Sequence, residues 1–145
     1  MNSYYLDTSA LFKRYVLEEG SDIVTSLFDK GESLFISAIT LCEVTSNLRR
    51  LVDVDGILKG EEFDVLRATF LGDVGDSILE VIELTTAIIL ASLDLASKKY
   101  LTPIDAIQLA TALSLAEKPV FVCSDQKLLR LALENGLAVL DPAGS

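Results

Sequence analysis

Four acidic residues, Asp7, Glu43, Asp105 and Asp125, stand where a carboxylate could do chemistry. Three lie in short phrases that mix apolar residues, hydroxyls and the acid: Tyr5-Leu6-Asp7-Thr8-Ser9-Ala10, Thr102-Pro103-Ile104-Asp105-Ala106 and Cys123-Ser124-Asp125. No basic residue stands beside any of the four. Carboxylates that converge repel one another and raise each other's pKa unless a cation is present. Oxygen-only ligands suit hard cations such as Mg²⁺ or Mn²⁺. Two such ions about 3.5–4 Å apart can clamp a phosphodiester in an in-line displacement. The chain has no histidine. That removes Ser-His and Cys-His catalysis and imidazole zinc sites, but leaves metal-assisted hydrolysis open, because the ion itself acidifies water.

The acids can meet only if the fold gathers them. Tyr4 to Leu6 reads as a strand ending at Asp7, followed by helices over Ala10 to Leu17 and Ser21 to Lys30. Leu34 to Ile36 is a second strand, and Ala38 to Val52 a helix with Leu41, Val44, Leu48, Leu51 and Val52 on its apolar side. A helix over Glu61 to Leu71 and a turn over Gly72 to Asp76 lead to a third strand, Leu79 to Leu84. Thr86 to Tyr100 is a strongly apolar helix, expected to be buried on most sides. Thr102 opens a helix running to about Glu117. Val120 to Cys123 is a fourth strand and Gln126 to Asn135 a helix stopped by Asn135-Gly136. Leu137 to Leu140 is a fifth strand. Alternating strands and helices imply a parallel sheet covered on both faces. In such a sheet the carboxyl ends of the strands share one edge, where acids distant in sequence can form one cluster.

Bulk properties agree with this reading. A length of 145 residues suits one domain over residues 1–145. Half the residues are hydrophobic and the mean hydropathy is +0.43, which points to apolar surface covered by a partner. No apolar run approaches the ~18 residues that span a bilayer, and Asp7 and Lys13 interrupt any signal-peptide pattern. A cytoplasmic protein without a membrane segment is expected. Cys42 and Cys123 fit no metal-ligand spacing and read as buried thiols. The formal charge of −10 repels nucleic acid at long range, so contact with it must be local and metal-assisted. The same charge would attract a basic protein partner.

Each acid also has a plain structural reading. Asp7 and Asp125 stand where helix caps stand. Thr102 as N-cap, Pro103 at the first position and Asp105 at the third form a capping box. Taken singly, these three favour the cap. Glu43 lies about one turn inside its helix, too far in to cap it. It shares a face with Ile39, Ser46, Asn47 and Arg50, and its plain reading is a polar stripe paired with Asn47. Four structural accidents would have to place four acids at one edge of one sheet, and that shifts the balance toward a metal site.

The order and spacing of these phrases resemble the PIN-domain ribonucleases, and within them the VapC toxins of toxin–antitoxin pairs. The resemblance covers essentially the whole chain. It runs through Tyr5 to Leu11, Ile36 to Val44, Leu101 to Ala110, and Phe121 to Asp125 with Leu128, and closes on Gly136 to Pro142. It implies a three-layer α/β fold with five parallel strands in the order 3-2-1-4-5 and helices on both faces. It implies a Mg²⁺- or Mn²⁺-dependent endoribonuclease with Asp7, Glu43, Asp105 and Asp125 as catalytic and metal-holding acids. Thr8 or Ser9 would help to hold a water or a phosphate, with Ser124 a further candidate hydroxyl. Cys123 stands where the family often has Thr or Ser, and the chain lacks the histidine often found near Gln108. Of the basic residues, Lys13 and Arg50 are the first choices for a substrate phosphate.

The resemblance implies an RNA substrate and a VapB-like antitoxin inserting a basic segment near the acids. An apolar patch on the helices over residues 21–30 and 61–71 suggests a homodimer. The rival reading is a PIN fold kept as a binding or scaffold module without turnover. A phosphoryl-transfer receiver domain is set aside, because the third strand runs into Glu83-Leu84-Thr85 and the fifth into Asp141-Pro142.

Overall fold

In the computed structural model, residues 2–144 are described. Five short strands, β1 (Ser3–Leu6), β2 (Ser33–Ser37), β3 (Leu79–Ile82), β4 (Val120–Val122) and β5 (Val139–Leu140), form one sheet in the order β3-β2-β1-β4-β5. All four pairings are parallel, with Tyr5 opposite Phe35 on one side and Phe121 on the other. This is the expected PIN-like α/β order.

The helices are α1 (Thr8–Phe12), α2 (Ser21–Asp29), α3 (Ala38–Asp53), α4 (Gly60–Gly75), α5 (Thr86–Lys98), α6 (Pro103–Leu113) and α7 (Gln126–Glu134). The strands alternate which core they feed, as the pleat requires. Tyr5, Phe35, Phe121 and Cys123 join Leu101, Leu109, Leu128 and Leu131 on the α6–α7 face. Leu6, Leu34, Ile36 and Val122 join Leu11, Val44, Leu48 and Phe70 on the face covered by α1, α3 and α4. Both faces of the sheet are therefore dry, which explains strands that are apolar almost throughout. Tyr5 and Phe121 stack at 5.6 Å between ring centroids, fixing β1 against β4.

Strand order reverses at β1, with β2 on one side and β4 on the other. Asp7 continues the ladder, its N–H donating to the Val122 carbonyl at 3.1 Å. The ends of β1 and β4 thus open together at the crevice where ligands enter sheets of this class.

Four local expectations are corrected. The helix after β1 ends at Phe12, not Leu17, because Lys13, Arg14 and Tyr15 close successive tight turns onto Ala10, Leu11 and Phe12. Those turns send Tyr15 edge-on to Phe70, and its hydroxyl donates to Asp73 at 2.6 Å. Helix α4 continues through Gly72 to Gly75, carrying Phe70 and Asp73 into that contact. The apolar helix α5 is not buried on most sides: only Ile88 and Ser92 are buried, while Leu90 and Leu93 are 58% and 55% exposed. It packs on α6 from outside, and among the described residues no further layer covers Leu90 and Leu93. Cys42 is exposed, since it faces away from the apolar side of α3, whereas Cys123 is buried.

Candidate active site

Asp7 follows the last residue of β1 and caps α1. Its Oδ1 accepts the Ala10 N–H at 2.9 Å and the Ser9 hydroxyl at 2.7 Å. Asp125 follows β4 and caps α7, accepting the Leu128 N–H at 3.1 Å. Asp105 lies in the first turn of α6, whose N-cap Thr102 accepts the Asp105 N–H at 3.2 Å. Three acids are thus fastened at helix starts, where backbone N–H groups and the positive helix end favour a carboxylate. Glu43 projects from the second turn of α3, which Ser37 caps. Its Oε1 accepts the Thr8 hydroxyl at 2.5 Å and the Gln108 amide at 3.2 Å.

All four side chains line one pocket of about 230 Å³, together with Thr8, Ser9, Asn47, Ile104 and Gln108. The acids feel one another across it. Burial raises the Asp7 pKa to about 6, and the Asp105 charge pushes the same way against hydrogen bonds from Cys123, Ala10 and Ser9. Burial likewise raises the Asp105 pKa, with Asp125 and Glu43 adding repulsion while Thr102 and the positive Lys127 oppose it. These are the conditions in which a divalent cation relieves strain between carboxylates.

The donor set fits a hard cation by chemistry: it is all oxygen, and three of its four members are anchored by backbone N–H groups or hydroxyls. As the side chains stand, no group of three or more His, Cys, Asp or Glu among the described residues closes around a common point.

The supporting residues are placed less uniformly. Thr8 and Ser9 spend their hydroxyl protons on Glu43 and Asp7. The Ser124 N–H donates to the Ser9 oxygen at 3.3 Å, while the Ser124 hydroxyl is buried with no partner. Cys123 lies beneath, its sulfur accepting the Asp125 N–H at 3.3 Å. Lys13 is buried and pairs with Glu18 at 3.3 Å, and Arg50 is exposed, 3.9 Å from Asp55; neither lines the acid pocket. Lys127 is exposed at the pocket's edge, its ammonium on the Tyr100 carbonyl and 5.0 Å from the centre of the Tyr100 ring. Three lining residues had no role in the sequence reading of the site: Asn47, one turn along α3 from Glu43, and the pair Gln108 and Ile104. The pair's signal is faint but present: both lie within one turn of Asp105 on α6.

The PIN domain family model matches residues 4–134. Solved structures of the same fold include FitAB bound to a DNA fragment, 16% identical, covering 98% of this chain and 96% of that one at a TM-score of 0.71. FitAcB from Neisseria gonorrhoeae is 19% identical, with 96% and 97% of the two chains covered and a TM-score of 0.69. A toxin–antitoxin complex from Klebsiella pneumoniae is 18% identical, with the same shares of the two chains covered and a TM-score of 0.66. No curated protein sequence matches significantly.

Proposed function

The chain belongs to the PIN domain family, and from that premise we propose that it is a divalent-metal-dependent endoribonuclease, the toxin of a toxin–antitoxin pair. PIN domains are generally nucleases. One observation supports the reading above all others: carboxylates from four separate segments, Asp7, Glu43, Asp105 and Asp125, line one pocket at the strand ends. RNA is the substrate class implied by the motif resemblance to VapC toxins.

In this reading the four acids hold Mg²⁺ or Mn²⁺. When bound, such an ion polarises a phosphodiester and acidifies water. Ser9 and Thr8 keep Asp7 and Glu43 oriented through the hydroxyl bonds at 2.7 and 2.5 Å. Asp7, with its pKa raised to about 6, is ionised near neutral pH and able to ligate. In the hydrolysis, water adds at phosphorus, the bond to the leaving oxygen breaks, and that oxygen takes up a proton. Lys127, whose charge is felt at Asp105, meets the phosphate backbone locally, as a chain of net charge −10 requires. Lys13 and Arg50 can contribute only from outside the pocket.

A basic antitoxin segment is the complementary partner for this acidic site. The Klebsiella complex is itself described as toxin–antitoxin, and that pairing is carried to this chain as part of the proposal. The exposed Ile23 on α2, and Val65 and Leu71 on α4, lie on the helices with which a homodimer would form. Sedimentation that finds only monomer at micromolar protein would count against it.

The direct test is cleavage of defined RNA and DNA oligonucleotides by the purified chain with Mg²⁺ or Mn²⁺. Expected are RNA cleavage, its loss in EDTA, and its loss in Asp7→Asn. Cleavage that survives EDTA removes the metal from the mechanism. One observation favours a second reading, a binding module without turnover: the carboxylates as they stand do not surround a common point. Calorimetry showing no divalent-ion binding at millimolar metal would bring that reading forward.

A further inference from the structure

Behind the acid pocket lies a buried polar chain that joins elements far apart in sequence. Gln108 on α6 is 1% exposed, yet its amide forms part of the pocket wall. The Tyr5 hydroxyl donates to its Oε1. Its Nε2 donates toward Thr40 at 2.9 Å, Thr8 at 3.1 Å and Glu43 at 3.2 Å. Thr8 in turn donates to the same Glu43 oxygen at 2.5 Å.

The Tyr5 contact orients the amide. The phenol is fully buried and donates to the Gln108 carbonyl, with the Thr111 and Ser37 hydroxyls against the same phenol oxygen. With Oε1 held by Tyr5, the amide hydrogens are left for Thr40, Thr8 and Glu43. Glu43, alone among the four acids, has no helix start to fasten it. The chain Tyr5–Gln108–Thr8 supplies that anchorage from β1, α6 and α1.

The chemical type of the anchor matters as much as its position. A lysine or arginine here would fasten Glu43 more strongly, but it would cancel the negative charge and occupy the place of a cation. A primary amide donates two hydrogens while remaining neutral. It can hold a carboxylate in place and leave its charge available.

We propose that Gln108 is a positioning residue: its amide, oriented by Tyr5, holds Glu43 in the geometry that binds the divalent cation. This rests on the metal-dependent reading above. Removing groups that orient metal-binding carboxylates commonly lowers metal affinity about 10- to 100-fold. The test is Mn²⁺ titration by calorimetry on the full chain, for wild type, Gln108→Met, Glu43→Gln and the double variant. Methionine nearly matches glutamine in length and volume, so the core stays filled.

The expected result is a loss of Mn²⁺ affinity of about 10- to 100-fold in Gln108→Met, with little further loss when it is added to Glu43→Gln. A residue that merely supports the fold would weaken both backgrounds alike. Undiminished affinity in Gln108→Met, or a full additional loss on Glu43→Gln, overturns the proposal while leaving the metal site standing. Absence of Mn²⁺ binding in wild type overturns the metal reading and this inference together. Should Gln108→Met not unfold cooperatively, Tyr5→Phe takes its place. It deletes only the hydroxyl that orients the amide, and is expected to lower affinity a few-fold in the Glu43 background alone; unchanged affinity there overturns the proposal.

Discussion

Asp7 and Glu43 lean on hydroxyls and an amide contributed by other residues of β1, α1 and α6, and Asp7 is 5% exposed. Asp105 and Asp125 sit nearer solvent and are fastened chiefly at the starts of their own helices. The inner pair is held still by buried polar neighbours, at a cost: desolvation raises the Asp7 pKa. Burial raises the Asp105 pKa as well, so the outer pair differs chiefly in having fewer side-chain partners. Under the proposed metal reading, a pocket built this way would keep two carboxylates ready and let two others adjust to a cation. Preorganisation of one half and freedom of the other is what the difference teaches.

The strongest way to break that contrast is to neutralise the inner half. Asp7→Asn keeps an oxygen for the Ala10 N–H but removes the charge. Hydrolysis of an RNA substrate is expected to fall about 10²- to 10⁴-fold, the range for a group acting at the reacting centre. Initial rates on a fluorogenic oligonucleotide measure it. Activity within tenfold of wild type would place Asp7 with the caps and outside the chemistry.

The same substitution should stabilise the metal-free chain. The Asp7 pKa is raised from 3.8 to about 6 in the fold, so the folded state holds a proton that the unfolded state releases. Its contribution is favourable below 3.8 and is lost as pH rises through about 6. The full difference is about 3 kcal/mol. In EDTA at pH 8, Asp7→Asn is therefore expected to unfold several degrees above wild type, at about 2–4 °C per kcal/mol. At pH 4 the two midpoints should nearly coincide. Equal midpoints at pH 8 would mean that the inner half carries no burial cost.

Asp125→Asn tests the outer half and should do less. Asn caps a helix as well as Asp does, so the Leu128 N–H stays satisfied. A loss of about 10- to 100-fold in activity, with an unfolding midpoint close to wild type in EDTA at pH 8, is expected. A loss as large as that of Asp7→Asn would erase the distinction between the halves.

What could be read from the chain follows the same division. Asp7, Asp105 and Asp125 were legible because each stands at a strand end or a helix start, where turn chemistry is local, and Glu43 because it lies too far inside α3 to be a cap. The sheet order followed from the motif resemblance, while the alternation of strands and helices indicated only that the sheet is parallel. Gln108 was not legible as part of the site, because its partners Tyr5, Thr8, Thr40 and Glu43 lie 65 to 103 residues away. The early end of α1 was hidden for the same reason: Tyr15 is drawn to Asp73, 58 residues on. The exposure of α5 misled the reading because hydropathy reports what a helix tolerates, not what lies against it. Leu90 and Leu93 look like core in sequence and face outward in the fold.

Cys123 is where the two halves meet, and it gives the smallest but most selective test. Its sulfur accepts the Asp125 N–H at 3.3 Å and is also a hydrogen-bond partner that lowers the Asp7 pKa. The thiol is fully buried, and desolvation together with the Asp7 charge pushes its own pKa well up. It therefore acts as a neutral, weak donor. Cys123→Ser substitutes a stronger donor of nearly the same shape. A better bond to the ionised carboxylate should lower the Asp7 pKa from about 6, read from the carboxyl carbon shift against pH. Net stability should change by no more than about 1 kcal/mol, because the gained bond is offset by burying a hydroxyl among apolar neighbours. The cap at Asp125 should persist, since a serine oxygen accepts the same N–H. If the Asp7 pKa rises or stays fixed while the Asp125 resonance moves, Cys123 serves the outer half alone. If only Asp7 responds, the thiol belongs to the inner network, and burial rather than sequence position decides which acid a neighbour tunes.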